Sequence, residues 1–348
     1  MTEADRIFSR FPEFVREYIF THRWESLRGV QVAAARTLFL TDHHLLLTSS
    51  TASGKTAFSV QLAKRLGGEI VCADSMQIYK GLDVGTAKAT KEEMEGVPHH
   101  LMDFLPPEQT FSVADFVEAA NREVQAITAR GRLPILVGGT GLYIESFLNG
   151  VRFAEQKADP TLREKLEQEA AALGLEAMHQ KLAAVDPDYA ATVHPNNVGR
   201  VIRALELYYS TGKTMSRQRA ESLPETPPFD SLVFCLAPAD RAQLYRRIDL
   251  RVDRMLEAGI LEEAKLVFEN RGRYRTAAQA IGYKEFFPYF EGTAELAACA
   301  DKLKQASRNY AKRQLTWFRR MENVIWLDPG DETILQQAET TVREHFGL

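Results

Sequence analysis

Leu45–Thr56, with the sequence LLLTSSTASGKT, is the stretch that decides the fold of this chain. The apolar run Leu45–Leu47 predicts a short strand, and the residues after Thr56 carry apolar side chains at helical spacing. The small-residue loop between them ends in Gly54-Lys55-Thr56, as a phosphate-binding loop (P-loop) does. Strand, loop and helix in this order predict an anion site, because a helix N-terminus offers unpaired N–H groups.

The residue types of the loop indicate how it would bind phosphate. Gly54 lets the backbone approach an anion, Lys55 adds a mobile positive charge, and the Thr56 hydroxyl can hold a Mg²⁺ ion. We expect diphosphate or nucleotide contacts from the whole loop: Ser49, Ser50, Thr51, Ala52, Ser53, Gly54, Lys55 and Thr56. Ser49 stands where the P-loop pattern has glycine, so an ordinary strand-to-helix turn is the alternative.

Composition sets the class of protein. The chain has 348 residues, 45% of them hydrophobic and 26% charged, with a net charge of −4. No apolar run reaches the roughly 18 residues of a membrane span, and the first residues lack the apolar core of a signal peptide. Three widely spaced cysteines suit a reducing compartment and exclude a Cys-rich zinc site. We therefore expect a cytoplasmic protein with no membrane association. We also expect it to be a monomer.

The alternation of short apolar runs with helical patterns predicts an α/β protein, P-loop NTPase-like, with a mostly parallel sheet. The predicted strands lie at about 45–49, 69–73, 134–138, 232–236 and 323–327. Between 153 and 230 the pattern changes to helices alone, which predicts an inserted helical domain. The expected domains are a helical extension (1–41), the first part of the core (42–152), the insertion (153–230) and the completed core with a basic C-terminal helix (231–348).

Two polar side chains follow predicted core strands. Asp74 comes directly after the second strand, and Thr140 lies in the turn Gly138–Gly141 after the third. Ligands of open α/β sheets bind at the carboxyl ends of strands, so we expect both side chains near the phosphate loop. The alternatives are that Asp74 caps a turn and that Thr140 caps the next helix.

Five segments, in this order, carry a resemblance to a known family. They are DSMQIYKGLDVGTAK (74–88), PILVGGTGLYI (134–144), HPNNVGRVIRALE (194–206), IGYKEF (281–286) and KRQLTWFRR (312–320). From about Thr51 to Arg320 the chain resembles the tRNA dimethylallyltransferase (tRNA isopentenyltransferase) family. The first 56 residues resemble the start of a superfamily 2 helicase, but no helicase motif follows Thr56. The chain therefore looks like a fusion of a helicase-like start to a member of this family, with the joint inside the phosphate loop.

The resemblance implies an activity and a set of roles. A dimethylallyl group would pass from dimethylallyl diphosphate to N6 of the adenosine at tRNA position 37, beside the anticodon. Asp74 would accept the amine proton, Thr140 would contact the reacting groups, and Lys55 with Mg²⁺ on Thr56 would stabilise the leaving diphosphate. Arg247 and Arg251 are further candidates for the diphosphate.

The resemblance also implies contacts to the tRNA anticodon stem-loop. The target base must leave its stack to reach a buried site, and basic side chains would pair with phosphates or stack on bases. The predicted tRNA-binding residues are Asp74, Ser75, Met76, Gln77, Arg163, Gly199, Arg200, Val201, Ile202, Arg203, Lys312, Arg313 and Arg319.

Three alternative functions use the same motifs differently. A P-loop kinase of a small molecule would need the phosphate loop but neither the insertion nor the basic C-terminal helix. A non-catalytic RNA-binding module would rest on the helicase-like first 56 residues. A catalytically impaired helicase/prenyltransferase fusion would follow if Ser49-Ser50 prevents the loop from closing on diphosphate.

Overall fold

A computed structural model describes residues 43–49, 54–153, 160–226 and 228–348 of the chain. The predicted extension 1–41 and the loop residues Ser50–Ser53 lie outside the described residues. The chain divides into two compact units, one that ends at Leu148 and resumes at Phe229–Leu348, and a second formed by Asn149–Pro228. The second unit overlaps the predicted insertion, which we placed at 153–230.

The first unit is built on a six-stranded sheet in which every described pair of strands is parallel. Its strands are β1 (His43–Ser49), β2 (Gly68–Ala73), β3 (His99–His100), β4 (Leu133–Gly138), β5 (Asp230–Leu236) and β6 (Val324–Leu327). Their order across the sheet is β3-β2-β4-β1-β5-β6. The predicted α/β class with a parallel sheet is confirmed. Strand β3 was not predicted, because two residues are too short to show a period.

The helices follow in chain order. Before the second unit lie α1 (Lys55–Leu66), α2 (Lys91–Met94), α3 (Val113–Ala129) and α4 (Gly141–Leu148). The second unit contains α5 (Pro160–Leu173), α6 (Leu175–Val185), α7 (Pro187–Ala190), α8 (Val198–Thr211) and α9 (Met215–Ser222). After it come α10 (Arg241–Glu257), α11 (Ile260–Glu269), α12 (Phe287–Phe290), α13 (Leu296–Phe318) and α14 (Ile334–Phe346).

Two apolar clusters cover the two faces of the sheet. Alternate residues of β2, Ile70 and Val71, belong to different clusters, since neighbouring side chains of a strand point to opposite faces. Helices α1 and α14 pack on one face, and α3, α4 and the end of α13 pack on the other. All residues of β2 and β4 are buried, as expected for parallel strands covered on both faces.

The second unit has a core of its own. Apolar residues of α5, α6, α7 and α8 form one buried cluster, in which Leu182, Tyr189 and Leu205 are central. Helix α8 contributes a strongly amphipathic face to it. None of the helices in the described ranges combines the length and apolarity needed to cross a membrane.

The carboxyl ends of β2 and β4 approach so closely that we expect a side chain at Gly138 to be excluded. Gly138 pairs with Ala73, and a Cβ added at Gly138 would lie 2.1 Å from the Ala73 carbonyl oxygen. We expect Gly138→Ala to lower the free energy of unfolding by about 3 kcal/mol, because the backbone must move to accept the methyl group. Urea denaturation measures this loss.

Gly272→Ala is the matched control, because a Cβ at Gly272 would meet open space. Its free energy of unfolding should change by less than about 0.5 kcal/mol. Equal effects of the two substitutions would contradict the close approach of β2 and β4.

Candidate active site

The candidate site lies where three neighbouring strands end. Strand β4 pairs with β1 on one side and with β2 on the other, so their carboxyl ends share one edge of the sheet. Asp74 directly follows β2, Thr140 follows β4 after one residue, and Lys55 begins α1. The sheet thus brings together the three residues predicted to be catalytic.

Gly54 shapes the entry to α1. Its backbone has φ +88° and ψ 16°, the left-handed region that favours glycine, and its carbonyl accepts the Phe58 amide at 3.2 Å. The first turn of α1 contains no acidic side chain. The positive end of the helix dipole is therefore presented to an anion beside Lys55.

Asp74 organises the turn that follows β2. Its Oδ1 accepts the Met76 amide at 2.9 Å and the Gln77 amide at 3.4 Å. The turn-capping alternative from the sequence is therefore observed. It is compatible with a chemical role, because both hydrogen bonds to described residues use the same carboxylate oxygen.

Thr140 connects the turn after β4 to the turn after β2. Its amide donates to the Ala73 carbonyl at 3.3 Å, and its Oγ1 accepts the Ser75 amide at 3.1 Å. The Thr140 carbonyl accepts the Tyr143 and Ile144 amides, so its main chain starts α4 while its hydroxyl reaches Ser75. The hydroxyl is thereby held one residue from Asp74.

A cavity of about 310 Å³ opens at this edge of the sheet. Among the described residues that line it, the charged ones are Lys55, Asp74, Arg251, Lys284 and Arg313. The apolar lining comes mainly from Met76, Ile248, Val252, Met255, Ile281 and Leu303. Four cations, one carboxylate and an apolar wall suit an anion attached to a short hydrocarbon.

The partly buried charges of the cavity influence one another. Burial lowers the pKa of Lys55, while Asp74 raises it and Arg251 lowers it further. Burial also lowers the pKa of Arg251, against the opposite effect of Asp74. Both cations lose hydration in the folded chain, so an anionic ligand would gain a strong interaction with them.

Thr56, the predicted metal ligand, lines a smaller cavity of about 20 Å³ together with Lys55 and Asp74. Within the described ranges, no cluster of three or more His, Cys, Asp or Glu side chains could hold a metal ion. Mg²⁺ commonly takes one or two protein oxygens and completes its shell with water and substrate phosphates. The Thr56 hydroxyl would supply one such oxygen.

The loop that follows Asp74 is held by buried polar contacts. Gln77 donates from Nε2 to the carbonyls of Thr86 and Ala87, at 3.1 and 3.3 Å. Ser75, Met76 and Gln77 all line the cavity, but the Gln77 amide nitrogen is already engaged in bracing the loop. Its predicted contact with tRNA would have to use the rest of that side chain.

Glu263 anchors the same loop from α11 and could not be found from the sequence. Its carboxylate accepts the amides of Asp83, Val84 and Gly85 at 2.8, 2.7 and 3.0 Å, and the Tyr283 hydroxyl at 2.9 Å. The contacts to the loop span about 180 residues of sequence. No local pattern predicts so distant a pair.

Two of the three predicted tRNA-binding arginines of the second unit, Arg163 and Arg203, share one buried carboxylate. Glu206 is 4% exposed, and its Oε2 lies 3.0 Å from Arg203 Nη1 and 3.6 Å from Arg163 Nη1. Gly199 and Arg200, at the start of α8, are exposed. The arginine side chains are therefore at the surface and partly pre-oriented.

Two residues of the same predicted segment need correction. Val201 and Ile202 are only 1% and 3% exposed, because they lie on the face of α8 that packs into the core of the second unit. Their side chains cannot contact tRNA in this arrangement. The motif match covered consecutive residues, whereas only one face of a helix reaches the surface.

Helix α13 divides its predicted tRNA contacts between two places. Arg313 lines the cavity, and its guanidinium lies 5.6 Å from the centre of the Tyr310 ring. Lys312 is exposed, and Arg319 lies over the Trp326 ring at 6.0 Å. Of the two arginines considered for the diphosphate, Arg251 is among the described lining residues and Arg247 is not.

Comparison with known proteins gives consistent matches. A family model described as IPP transferase matches residues 77–321, a range that runs through both compact units. The tRNA dimethylallyltransferase of Bacillus subtilis (strain 168) is 49% identical over 302 residues, covering 87% of this chain and 96% of that protein. The protein of the same name from Geobacillus thermodenitrificans (strain NG80-2) is 49% identical over 296 residues, covering 84% and 92%.

Solved structures agree with these relatives. The full-length tRNA isopentenylpyrophosphate transferase from Bacillus halodurans has a TM-score of 0.65 at 43% identity, covering 87% of this chain and 97% of that one. A eukaryotic dimethylallyltransferase acting on tRNA has a TM-score of 0.74 at 32% identity, covering 85% and 77%. The likeness confirms the predicted P-loop NTPase-like fold.

Glu263→Gln should loosen the loop beside the cavity. An amide side chain offers one acceptor oxygen where the carboxylate offers two, so we expect loop amides to lose partners at a cost of about 2 kcal/mol. Hydrogen exchange of the Asp83, Val84 and Gly85 amides should become at least about tenfold faster. Glu262→Gln, an exposed change on the same helix, is the control, and equal exchange in both variants would contradict this role.

Proposed function

The chain belongs to the IPP transferase family, and we propose that it transfers a dimethylallyl group from dimethylallyl diphosphate to N6 of the adenosine at tRNA position 37, releasing diphosphate. One observation carries the proposal. A single cavity combines the cations Lys55 and Arg251, an apolar wall and the carboxylate of Asp74. A diphosphate ester of a short hydrocarbon would use the first two features, and an amine acceptor would use the third. The relatives' names support a dimethylallyl group as the group transferred and tRNA as its acceptor.

The start of α1 and the cations of the cavity bind the leaving diphosphate. Gly54 admits the diphosphate to the helix N-terminus, and Lys55 and Arg251 pair with its oxygens. Negative charge grows on the diphosphate as the carbon–oxygen bond breaks. Groups fixed beside that charge stabilise the transition state more than the ground state, which is how they accelerate transfer.

The Thr56 hydroxyl would hold a Mg²⁺ ion, which would supply further positive charge to the leaving diphosphate. The described residues fit such an ion with few protein ligands, as a substrate-bound Mg²⁺ requires. The protein's part is to present Thr56 in the first turn of α1, adjacent to Lys55.

Asp74 serves as the general base for the acceptor. The N6 amine of adenine attacks the allylic carbon, the N–C bond forms as the C–O bond of the donor breaks, and Asp74 accepts the proton that the amine releases. An exocyclic amine is a weak nucleophile, so removal of this proton as the bond forms lowers the barrier. The Met76 and Gln77 amides hold the carboxylate in place through Oδ1.

The tRNA would be held by surface arginines while its target base enters the cavity. Arg163, Arg200 and Arg203 would meet phosphates or bases of the anticodon loop, with Lys312 and Arg319 as further backbone contacts. A base must leave its stack to reach the partly buried carboxylate of Asp74, at a cost of a few kcal/mol. The binding free energy from the ordered cations on the neighbouring nucleotides offsets that cost.

A kinase of a small molecule would use the same phosphate loop, but the observations favour prenyl transfer. The match to the IPP transferase family model, residues 77–321, includes the helical unit and α13, which a small acceptor would not need. We further propose a cytoplasmic monomer. The three cysteines are free and buried, as in a reducing compartment.

The first test is transfer to unmodified tRNA, with nucleosides analysed by mass spectrometry. We expect N6-dimethylallyladenosine with Mg²⁺ and dimethylallyl diphosphate present, and at least about a 100-fold loss of turnover in Asp74→Asn. Asparagine keeps Oδ1 as an acceptor for the Met76 and Gln77 amides, so the turn survives while the base is lost. Asp301→Asn, on an exposed position of α13, should leave turnover unchanged.

Two outcomes would contradict this account. A wild-type protein that binds tRNA and yields no prenylated adenosine would refute the activity and favour an impaired family member. Wild-type turnover in Asp74→Asn would remove Asp74 as the base.

Arg203→Ala should weaken tRNA binding selectively. We expect tRNA affinity to fall about tenfold and the slope of log affinity against log salt to decrease by about one, because one phosphate contact is lost. Affinity for dimethylallyl diphosphate should stay the same, measured by calorimetry. Arg122→Ala removes an equal charge from α3 in the first unit and serves as the control. Equal loss of both affinities in Arg203→Ala would contradict a role confined to tRNA.

A further inference from the structure

One face of α13 holds the turn that carries Thr140. Gln314, which is buried, donates from Nε2 to the Gly139 carbonyl at 2.9 Å. The Trp317 ring fills the space beside Gly141, where an added Cβ would lie 2.6 Å from it. Tyr310 precedes these residues by four and seven positions, so all three lie on the same face of the helix.

Tyr310 lies close to Thr140, the residue between Gly139 and Gly141. Its side chain lines the cavity one helical turn before Gln314 and lies close to the side chains of Thr140 and Gln314. Burial, together with the nearby Asp74 carboxylate, raises the pKa of Tyr310, so the phenol stays protonated at neutral pH. A neutral hydroxyl thus stands beside the Thr140 hydroxyl in the reaction cavity.

Helix α13 is itself fixed against the helix that bears Arg251. Lys304 Nζ lies 2.6 Å from Asp253 Oδ1, and Arg308 pairs with Asp249. Both acids lie on α10, two residues either side of Arg251. These two ion pairs therefore fix the part of α13 that carries Tyr310.

We propose that Tyr310 is a positioning residue for the transfer reaction. Its hydroxyl orients the Thr140 hydroxyl, whose Oγ1 accepts the Ser75 amide and so fixes the chain next to Asp74. The inference rests on the proposed function for its effect on turnover. Its effect on the turn can be measured without the reaction.

Tyr310→Phe removes the hydroxyl and keeps the ring. We expect kcat to fall about tenfold while KM for both substrates stays within about twofold, because alignment is lost and binding is not. The control is Tyr289→Phe, which deletes the hydroxyl of a surface tyrosine outside the cavity lining and should leave kcat unchanged.

A double-mutant cycle with Thr140→Val tests whether Tyr310 acts through Thr140. If it does, Tyr310→Phe/Thr140→Val will be no slower than Thr140→Val alone. Multiplied losses in the double variant would overturn the proposal, as would a raised KM for dimethylallyl diphosphate with unchanged kcat in Tyr310→Phe. Wild-type kcat in Tyr310→Phe would do so too.

Hydrogen exchange supplies a readout that does not need activity. The Ser75 amide donates to Thr140 Oγ1, so we expect its exchange to quicken in Tyr310→Phe and in Thr140→Val, and to stay unchanged in Tyr289→Phe. Unchanged Ser75 exchange in Tyr310→Phe would overturn the proposal even if the wild-type protein transfers the prenyl group. A wild type that transfers nothing would contradict the proposed function, whereas the exchange result would still decide the role of Tyr310.

Discussion

The close approach of β2 and β4 at their carboxyl ends is the constraint on which the site depends. The Ala73 carbonyl lies where a Cβ on Gly138 would be, and it accepts the Thr140 amide. Because Asp74 is the next residue, this contact fixes the spacing between the turn that carries the carboxylate and the turn that carries the threonine. Two contacts from residues far away in sequence hold this region in place. Helix α13 bonds to the turn that carries Thr140, and Glu263 bonds to the loop that follows Asp74.

The distribution of charge explains how one cavity can serve two unlike substrates. Lys55 and Arg251 are cations that lose hydration on folding, and an anion restores their interactions. Asp74 is the acid among the described lining residues, so the acceptor amine and the donor anion have different partners. In the second unit, Glu206 orders two surface arginines. The chemistry would thus lie in the first unit, and the second unit would add arginines that bind tRNA.

Much of the fold and part of the site could be predicted from the sequence, since both rest on local patterns. Strand runs and the rule that ligands bind at strand ends brought Lys55, Asp74 and Thr140 together correctly. Glu263 and Tyr310 escaped prediction because their partners lie far away in sequence, and only packing brings them close. The predicted tRNA contact of Val201 failed because a motif match ignores which face of a helix is buried.

The most direct test of the central claim is a crystal structure with a non-reactive thio analogue of dimethylallyl diphosphate. The account predicts the diphosphate at the start of α1, with its oxygens on Lys55 and Arg251, and the allylic carbon facing Asp74 across the cavity. A diphosphate bound outside this cavity would contradict the account. So would an allylic carbon placed with its face turned away from Asp74, because an adenine amine beside Asp74 could not then attack it.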